Sequence, residues 1–600
     1  MPVYQAPLRD MQFVLHELLE VETTYQQFHD YKDMLSTEVI NQYLEAAADF
    51  CENEIALLNQ SGDQHGCRLH EGVVTTPHGF KAAHQKYAEL GFPSLTADPE
   101  YGGQGMPTLL RIAISEMLCG SNWSWAMYQG LSHGAMRTLE HHGTPEQKQK
   151  FLSKLITGEW TGTMCLTESH AGSDLGLIRT KAEPNADGSY AISGEKIFIS
   201  AGEHDLTENI VHIVLARLPD APAGTKGISL FIVPKFNLDE AGNIADRNAV
   251  LCTSIEHKMG IHGNATCALH FDRAIGYLIG PPHRGLNCMF TFMNTARIGT
   301  AVQGLAASQI AFQGALAYAK DRLAMRGLTG AHYPEKNADP IIVHPAVRNM
   351  LMTQKAFAEG GRALVYFLAQ HADIIEKSND PTQIQHSDEL LAFLTPIAKA
   401  FLTETGNESA KHGIQIFGGH GFIVEHGMEQ IARDARISTL YEGTTEIQSI
   451  DLLARKVLKS KGKLLNNMLD LIDTFIAAHH ADPALSLYIE KLIALKGEWL
   501  NLTQEITTVA KQNPEEIGAA SVDYLYYSGY VVFAYLWAKM AQVAYEKQQN
   551  TAQDTRFYAA KIKTANFFFD KLLTRTQSHA ASIKSGASSV MALSEEDFAF

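Results

Sequence analysis

The sequence predicts an α+β fold: an N-terminal helical domain, a central β-barrel or sandwich domain, a C-terminal helical bundle and an extra helical C-terminal domain. Three observations carry this. Apolar residues recur at helical spacing before about residue 160 and again after Arg297, short β-rich runs broken by turns fill the stretch between, and no regular β-α-β alternation occurs. Residues 1–160 read as the first helical domain, with Met34 to Leu58 as a representative amphipathic segment. Across 161–286 the runs Ile192 to Ser200, Ile210 to Leu218 and Ile228 to Val233 alternate with Asp187-Gly188 and other Pro- or Gly-containing turns, the signature of a compact β domain. Over 287–458 helical spacing returns, with Val347, Met350, Phe357, Leu364 and Leu368 on one side of a long helix. The polar link Lys459-Ser460-Lys461-Gly462-Lys463 then leads into a fourth, helix-rich domain at 464–600. Within it, the aromatic stretch Tyr524 to Trp537 is shorter than the roughly 20 residues a spanning helix needs, so a buried helix is expected. The Ala-, Ser- and Gly-rich stretch 579–592 reads as a flexible terminal arm.

A chain of 600 residues exceeds what one hydrophobic core organises. Its 49 basic and 66 acidic side chains give a net charge of −17, which opposes the non-specific attraction to phosphate that nucleic-acid binders use. No nucleic-acid partner is expected. Seven cysteines without a Cys-x-x-Cys pair fit reduced thiols in a cytoplasmic protein, and the first residues, Met1-Pro2-Val3-Tyr4, do not begin a secretory signal. No integral membrane association is expected. A Gly-x-Gly-x-x-Gly turn after a strand, a Walker loop and His-Glu-x-x-His are all absent from the sequence. His133, His141, His142, His257 and His262 follow no familiar ligand spacing, so no metal is predicted.

Three segments carry chemistry, and each has a plain alternative when taken alone. Cys165-Leu166-Thr167-Glu168-Ser169-His170-Ala171-Gly172-Ser173-Asp174 can set backbone N–H groups and hydroxyls against a flat polar ring or a pyrophosphate, or it is a turn capped by Asp174. Gln415-Ile416-Phe417-Gly418-Gly419-His420-Gly421-Phe422 lets backbone approach a ligand or a partner chain, or it is a helix C-cap. Leu440-Tyr441-Glu442-Gly443-Thr444-Thr445-Glu446-Ile447-Gln448 holds a carboxylate before a hydroxyl-rich helix start, or it is a capping box.

In this order and separation the three segments resemble the acyl-CoA dehydrogenase superfamily, over about residues 80–458. Glu100-Tyr101-Gly102-Gly103-Gln104-Gly105, Arg322 and Lys258-Met259-Gly260-Ile261-His262-Gly263-Asn264-Ala265-Thr266 add to the match. The C-terminal extension and the Gly-Ile-His-Gly-Asn-Ala-Thr wording look closest to the branch containing 3-methylmercaptopropionyl-CoA dehydrogenases and related broad-range enzymes. Departures from the usual pattern are Leu177 for a small residue, Ser169-His170 for Pro-Gly, Gln430 for Lys or Arg, and His262 for Arg.

The resemblance implies an FAD-dependent oxidoreductase that makes a trans-2-enoyl-CoA from a fatty acyl-CoA of short to long chain or from 3-methylthiopropanoyl-CoA. Glu442 would remove the α-proton while the β-hydride leaves to the flavin. Enclosure in a water-poor pocket would raise the pKa of that glutamate, and its backbone N–H, with a flavin ribityl hydroxyl, would bind the thioester carbonyl. Leu166 and Thr167 would meet the flavin ring, Ser173 the pyrophosphate, and Phe198 and Ser200 the ring face and its reactive nitrogen. Arg322 would neutralise the pyrophosphate, Gln415, Gly418 and Gly419 would hold the adenosine end from a neighbouring subunit, and Thr444 and Glu446 would touch the cofactor's middle. The implied partners are acyl-CoA, electron-transfer flavoprotein and further copies of this chain, as a dimer or dimer of dimers. Arg297 has two readings, substrate placement or a structural ion pair. Two other activities use the same scaffold: an acyl-CoA oxidase, which hands electrons to oxygen, and a DNA-binding flavoprotein relative, against which the extension's lack of a sustained basic run argues.

Overall fold

The computed structural model describes residues 2–550 and 552–600. The chain divides into two compact units, one formed by Tyr4–Ala6 and Tyr43–Gly299 and the other by Pro7–Gln42 and Thr300–Phe600 with the extreme N-terminus.

In the first unit, the helices Thr108–Ser121 and Trp123–His142 meet at Asn122, whose side chain accepts from the Trp125 amide at 3.1 Å and so caps the second helix. The second packs on a seven-stranded sheet in the order Val250–Ile255, Thr266–Ile279, Tyr190–Ser200, Lys181–Pro184, Asn209–Arg217 and Trp160–Cys165. The remaining strand, Ile228–Pro234, pairs with both Thr266–Ile279 and Asn209–Arg217, which closes the middle strands into a ring. The runs expected at 192–200, 210–218 and 228–233 are thus strands, in the barrel arrangement the composition suggested. Asn209–Arg217 is buried on both faces: Val214 and Ala216 join the cluster of Phe231, Ile192 and Phe271, while Ile213 and Leu215 join that of Trp160, Phe151 and Leu139. A strand walled on two sides has no solvent face, so its sequence runs continuously apolar instead of alternating.

The second unit is helical. The long helices Pro345–Lys377 and Pro381–Phe417 pack on one another, and Gly304 and Leu305 of Gly285–Asp321 lie against Leu402 and Gly361. Met428–Arg436 and Thr445–Ile450 follow, then a π-helical turn at Asp451–Leu458. The extension comprises Lys463–His479, Ser486–Val509, Glu515–Asn550, Thr555–Phe567 and Arg575–Ser585. Its aromatic stretch lies inside Glu515–Asn550, with Tyr524, Tyr527, Phe533 and Trp537 all buried. Phe401 of Pro381–Phe417 meets the Tyr530 and Phe533 rings edge-on, each at 5.0 Å. No helix among the described residues is long and apolar enough to cross a membrane.

The terminal arm expected at 579–592 is corrected in its first half. Residues through Ser585 continue the Arg575–Ser585 helix, and Ala580, Ile583 and Ala587 are buried. Alanine is the strongest helix former, and one apolar anchor per turn suffices to dock a helix that composition alone reads as a linker.

Candidate active site

The site residues fall into one group in the first unit and two in the second. In the first unit, the loop after Trp160–Cys165 is held from beneath by Glu168. Its carboxylate accepts from the Lys196 ammonium at 2.9 Å, the Thr180 hydroxyl at 2.6 Å and the amides of Arg179 and Thr180 at 2.7 and 3.0 Å. Burial alone would raise the Glu168 pKa, but Lys196 and these hydrogen bonds outweigh it and hold the group below its ordinary value. Lys196, fully buried, also donates to the Leu166 carbonyl at 2.9 Å, and paired backbone bonds join Glu168 to Ala171. The loop is therefore fixed at 166, 168 and 171, and it carries Gly172 and Ser173 at the surface. Asp174 accepts from the Gly176 amide at 2.9 Å, the turn cap its plain reading anticipated.

Phe198 stands beside this loop because the Ile197 amide donates to the Thr167 carbonyl at 2.9 Å. Between Lys196 and Ile199 the pairing with Thr266–Ile279 slips by one residue, a β-bulge that puts Phe198 at φ +57°. A bulge re-aims a side chain, and a phenylalanine in left-handed backbone is strained. Its ring is 59% exposed. Ser200, two residues on, is anchored through its carbonyl to the Thr163 hydroxyl at 2.8 Å. Leu166, Thr167, Ser173, Phe198 and Ser200 thus come from two segments that are tied together. An exposed aromatic ring on strained backbone next to a fixed hydroxyl loop fits a flat heterocycle with a pyrophosphate. Arg297, also in this unit, has its Nε buried without a hydrogen-bond partner among the described residues.

In the second unit, Arg322 follows the end of Gly285–Asp321, and Tyr318 one turn earlier ties that end to the glycine turn. The Tyr318 ring stacks on Phe417 at 4.2 Å and its hydroxyl lies 2.9 Å from His420 Nδ1. Arg322, Gln415, Gly418 and Gly419 are consequently gathered, and all four are exposed. Gly418 caps Pro381–Phe417 at φ +60° and ψ −136°, a conformation that only glycine adopts readily. A Cβ at 418 or 419 would meet nothing within 4 Å, so the turn offers open backbone beside a guanidinium. That suits a phosphate-bearing ligand.

Glu442 belongs to a third group, between the short helical turn Ile437–Thr439 and the helix Thr445–Ile450. It lies at φ +56° and Gly443 at +90°, and a non-glycine residue held there costs about 1–3 kcal/mol. Several side chains hold the loop in place. Gln448 Nε2 donates to the Glu442 carbonyl at 2.9 Å, the fully buried Lys399 donates to the Gly443 carbonyl at 2.6 Å, and the Thr445 hydroxyl donates to Glu404 at 2.6 Å. The Tyr441 hydroxyl donates to Gln303. Thr444 caps the helix by accepting from the Ile447 amide, but the capping box of the plain reading is not completed, because Ile447 stands at the third helical position and Glu446 points from the first turn at the surface. Sequence reasoning did not single out Lys399, Glu404 or Gln448. Lys399 carried a signal, being a lone charge inside the apolar run from Phe393 to Leu402.

Four family descriptions match the chain in order: the acyl-CoA dehydrogenase N-terminal domain at 37–159, middle domain at 163–274 and C-terminal domain at 283–458, and the acetyl-CoA dehydrogenase C-terminal-like domain at 468–594. The 3-methylmercaptopropionyl-CoA dehydrogenase of Ruegeria pomeroyi is 38% identical over 597 residues, covering 98% of this chain and 100% of its own. A butyryl-CoA dehydrogenase of Syntrophomonas wolfei is 33% identical over 616 residues, covering 99% of each. Among solved structures, Caenorhabditis elegans ACDH-11 in complex with C11-CoA superposes with a TM-score of 0.78 at 21% identity, covering 94% of this chain and 91% of that one, a likeness of fold. With 38% identity along nearly its whole length and all four domains in sequence, the chain belongs to the acyl-CoA dehydrogenase family of FAD-dependent oxidoreductases.

Proposed function

We propose that Glu442 is the base that removes the α-proton of an acyl-CoA thioester, giving a trans-2-enoyl-CoA. The observation that carries this is the Glu442 loop, in which a carboxylate sits on strained backbone held by Lys399, Gln448 and Glu404. A thioester α-proton is weakly acidic, so the base must be positioned before the reaction and not found by diffusion. Bound FAD supplies the acceptor for the hydride that leaves the β-carbon. Leu166, Thr167, Phe198 and Ser200 are assigned to its ring and Ser173 to its pyrophosphate. Arg322, Gln415, Gly418 and Gly419 take the pyrophosphate and adenosine end, and Thr444 and Glu446 the middle. Glu442 takes up the α-proton at its carboxylate and holds it while product is present.

The relatives' names support two substrates, 3-methylthiopropanoyl-CoA and a short linear acyl-CoA such as butyryl-CoA; electron-transfer flavoprotein is the oxidant proposed for the reduced enzyme. An anaerobic panel of acyl-CoAs, scored by bleaching of the flavin, separates the substrates. Glu442→Gln is expected to retain FAD and bind acyl-CoA while bleaching slows by several orders of magnitude, about 10²–10⁴-fold or more. Near-normal bleaching in that variant would refute the assignment.

The protein is further proposed to be a homodimer or dimer of dimers. Just beyond the glycine turn, Phe422 is 83% exposed and Ile423 and Val424 stand exposed beside it, an apolar edge that a second copy would cover. Light scattering is expected to give a multiple of the chain mass. A monodisperse, fully flavin-loaded monomer would rule this out.

A further inference from the structure

We propose that Glu404 is a positioning residue for Glu442, and that through it the C-terminal extension sets where the base loop stands. This rests on the reading of Glu442 as the base. Loops with residues in the left-handed region persist only where their surroundings over-determine them. Two of the tethers on this loop, Lys399 to the Gly443 carbonyl and Gln448 to the Glu442 carbonyl, come from residues 381–458 alone. The third does not. Glu404, on Pro381–Phe417, accepts from the Thr445 hydroxyl at 2.6 Å, three residues after Glu442, and it lines one cavity with Tyr526 of the extension helix Glu515–Asn550.

The extension side of this link is built for rigidity. Burial, then the neighbouring Glu404 carboxylate, push the Tyr526 hydroxyl above its ordinary pKa, so it stays neutral. Its ring lies flat on His579, at 5.1 Å and 3° between planes, and His579 Nδ1 is 2.8 Å from Asp523. One turn along from Glu404, Glu408 is neutralised by two bonds from Arg575, at 2.7 and 2.8 Å, and lies 3.3 Å from His412. These groups line a cavity of about 300 Å³. Among the described residues no ion pair involves Glu404, and its hydrogen bond comes from the Thr445 hydroxyl. Removing that hydroxyl leaves a partly buried carboxylate short of a donor and frees the loop's end of the link. A second contact runs in parallel: Ser449, on Thr445–Ile450, has its hydroxyl 3.0 Å from that of Ser521 in the extension helix.

The test uses the full-length, flavin-loaded protein with butyryl-CoA and 3-methylthiopropanoyl-CoA as probes. Thr445→Val is expected to slow the limiting rate of flavin bleaching by about tenfold, with the half-saturating acyl-CoA concentration unchanged, because a charge-assisted hydrogen bond is lost away from the substrate. Thr445→Ser restores the hydroxyl and the rate. Tyr526→Phe, more than 80 residues away in sequence, slows bleaching in the same direction. It also raises hydrogen exchange of the 441–448 amides, a readout that needs neither flavin nor turnover. Wild-type bleaching and wild-type exchange in both Thr445→Val and Tyr526→Phe would overturn the proposal, as would a Thr445→Ser no better than Thr445→Val. Glu442→Gln in parallel keeps the two readings apart. If it bleaches normally, the base assignment fails on its own while the exchange data still judge the link.

Discussion

Glu168 is one side chain doing the work of a small scaffold: a single carboxylate collects an ammonium, a hydroxyl and two amides and so fixes the loop assigned to the flavin. Because its folded pKa lies below the ordinary value, its stabilisation is complete at neutral pH, above the unfolded value of about 4.3, and is lost as pH falls through the lower folded value. Glu168→Gln removes the charge but keeps an acceptor, leaving Lys196 as a buried cation without its counter-charge. The variant is expected to retain less FAD at neutral pH, and to show a weaker dependence of retention on pH between about 5 and 3. Absorbance of protein-bound flavin after gel filtration measures both, and retention equal to wild type would count against this account of the loop. The sequence made Glu168 visible as the centre of its motif, since hydroxyls and glycines surround it. Lys196, 28 residues away, was not visible as its partner. Nothing local distinguishes a buried lysine from an exposed one on a strand, because the pairing exists only once the strands are in register. Lys399 and Glu404 escaped for the same reason: helical period gives the face a residue lies on, not the loop that will come to rest there.

At the scale of elements, what decided legibility was whether the cause of an element is local. The strands at 190–200, 209–217 and 228–234 follow from β-branched runs and adjacent turn residues, and the structure has them within a residue or two of the expected bounds. The bulge at Ile197-Phe198 could not be read this way, because it needs the opposite strand to be one residue short. The helix Arg575–Ser585 was missed because composition weighs Ala, Ser and Gly together, whereas only the last favours disorder strongly. The extension helix Glu515–Asn550 was anticipated as buried, but not the manner of its docking. Gly529 lies against Phe401, where a Cβ would come within 2.4 Å of the ring, and Gly360 lies against Phe533, where it would come within 2.7 Å. The extension helix thus offers a glycine to Phe401 of Pro381–Phe417 and a phenylalanine to Gly360 of Pro345–Lys377, which seats it closely on both. This fit sets Tyr526 and Glu404 on one cavity, so the packing of the three helices bears on the position of the base loop.

Over the whole chain, the second unit is completed from both ends of the sequence. Tyr25 donates to Asp373 at 2.7 Å, and Asp10 is buried between Arg362 and Lys561, with Glu359 on the far side of Lys561 at 2.8 Å. The N-terminal segment, a central helix and the extension therefore share one buried charge cluster, in which breaking a pair costs about 3–5 kcal/mol. Burial would raise the Asp10 pKa, but Lys561 and Arg362 hold it below the ordinary range; burial would likewise raise the Glu408 pKa, but His412 and Arg575 bring it down to about 2. Both carboxyls hold the extension, so this stabilisation is full above about pH 4 and fades as pH falls toward 2. Removing everything after Leu458 would leave Phe401 bare where Phe533 and Tyr530 cover it and Phe357 without Arg575 over its ring, and would strip Asp10 and Glu359 of Lys561. Large rings dominate such an interface, and an uncovered apolar face of this kind promotes association. The truncated chain is expected to aggregate or to carry little FAD, as judged by gel filtration and flavin absorbance. The same burial argues against a membrane role for the aromatic helix: an interfacial helix needs its apolar face outward with basic residues along its flanks, whereas Tyr524, Tyr527, Phe533 and Trp537 face inward and Lys539 is itself desolvated, its pKa lowered by burial. Intact protein sedimented with anionic vesicles is therefore expected to stay in the supernatant, and either a soluble, yellow, fully active truncation or an intact chain that pellets with lipid would show that the extension serves something other than this packing.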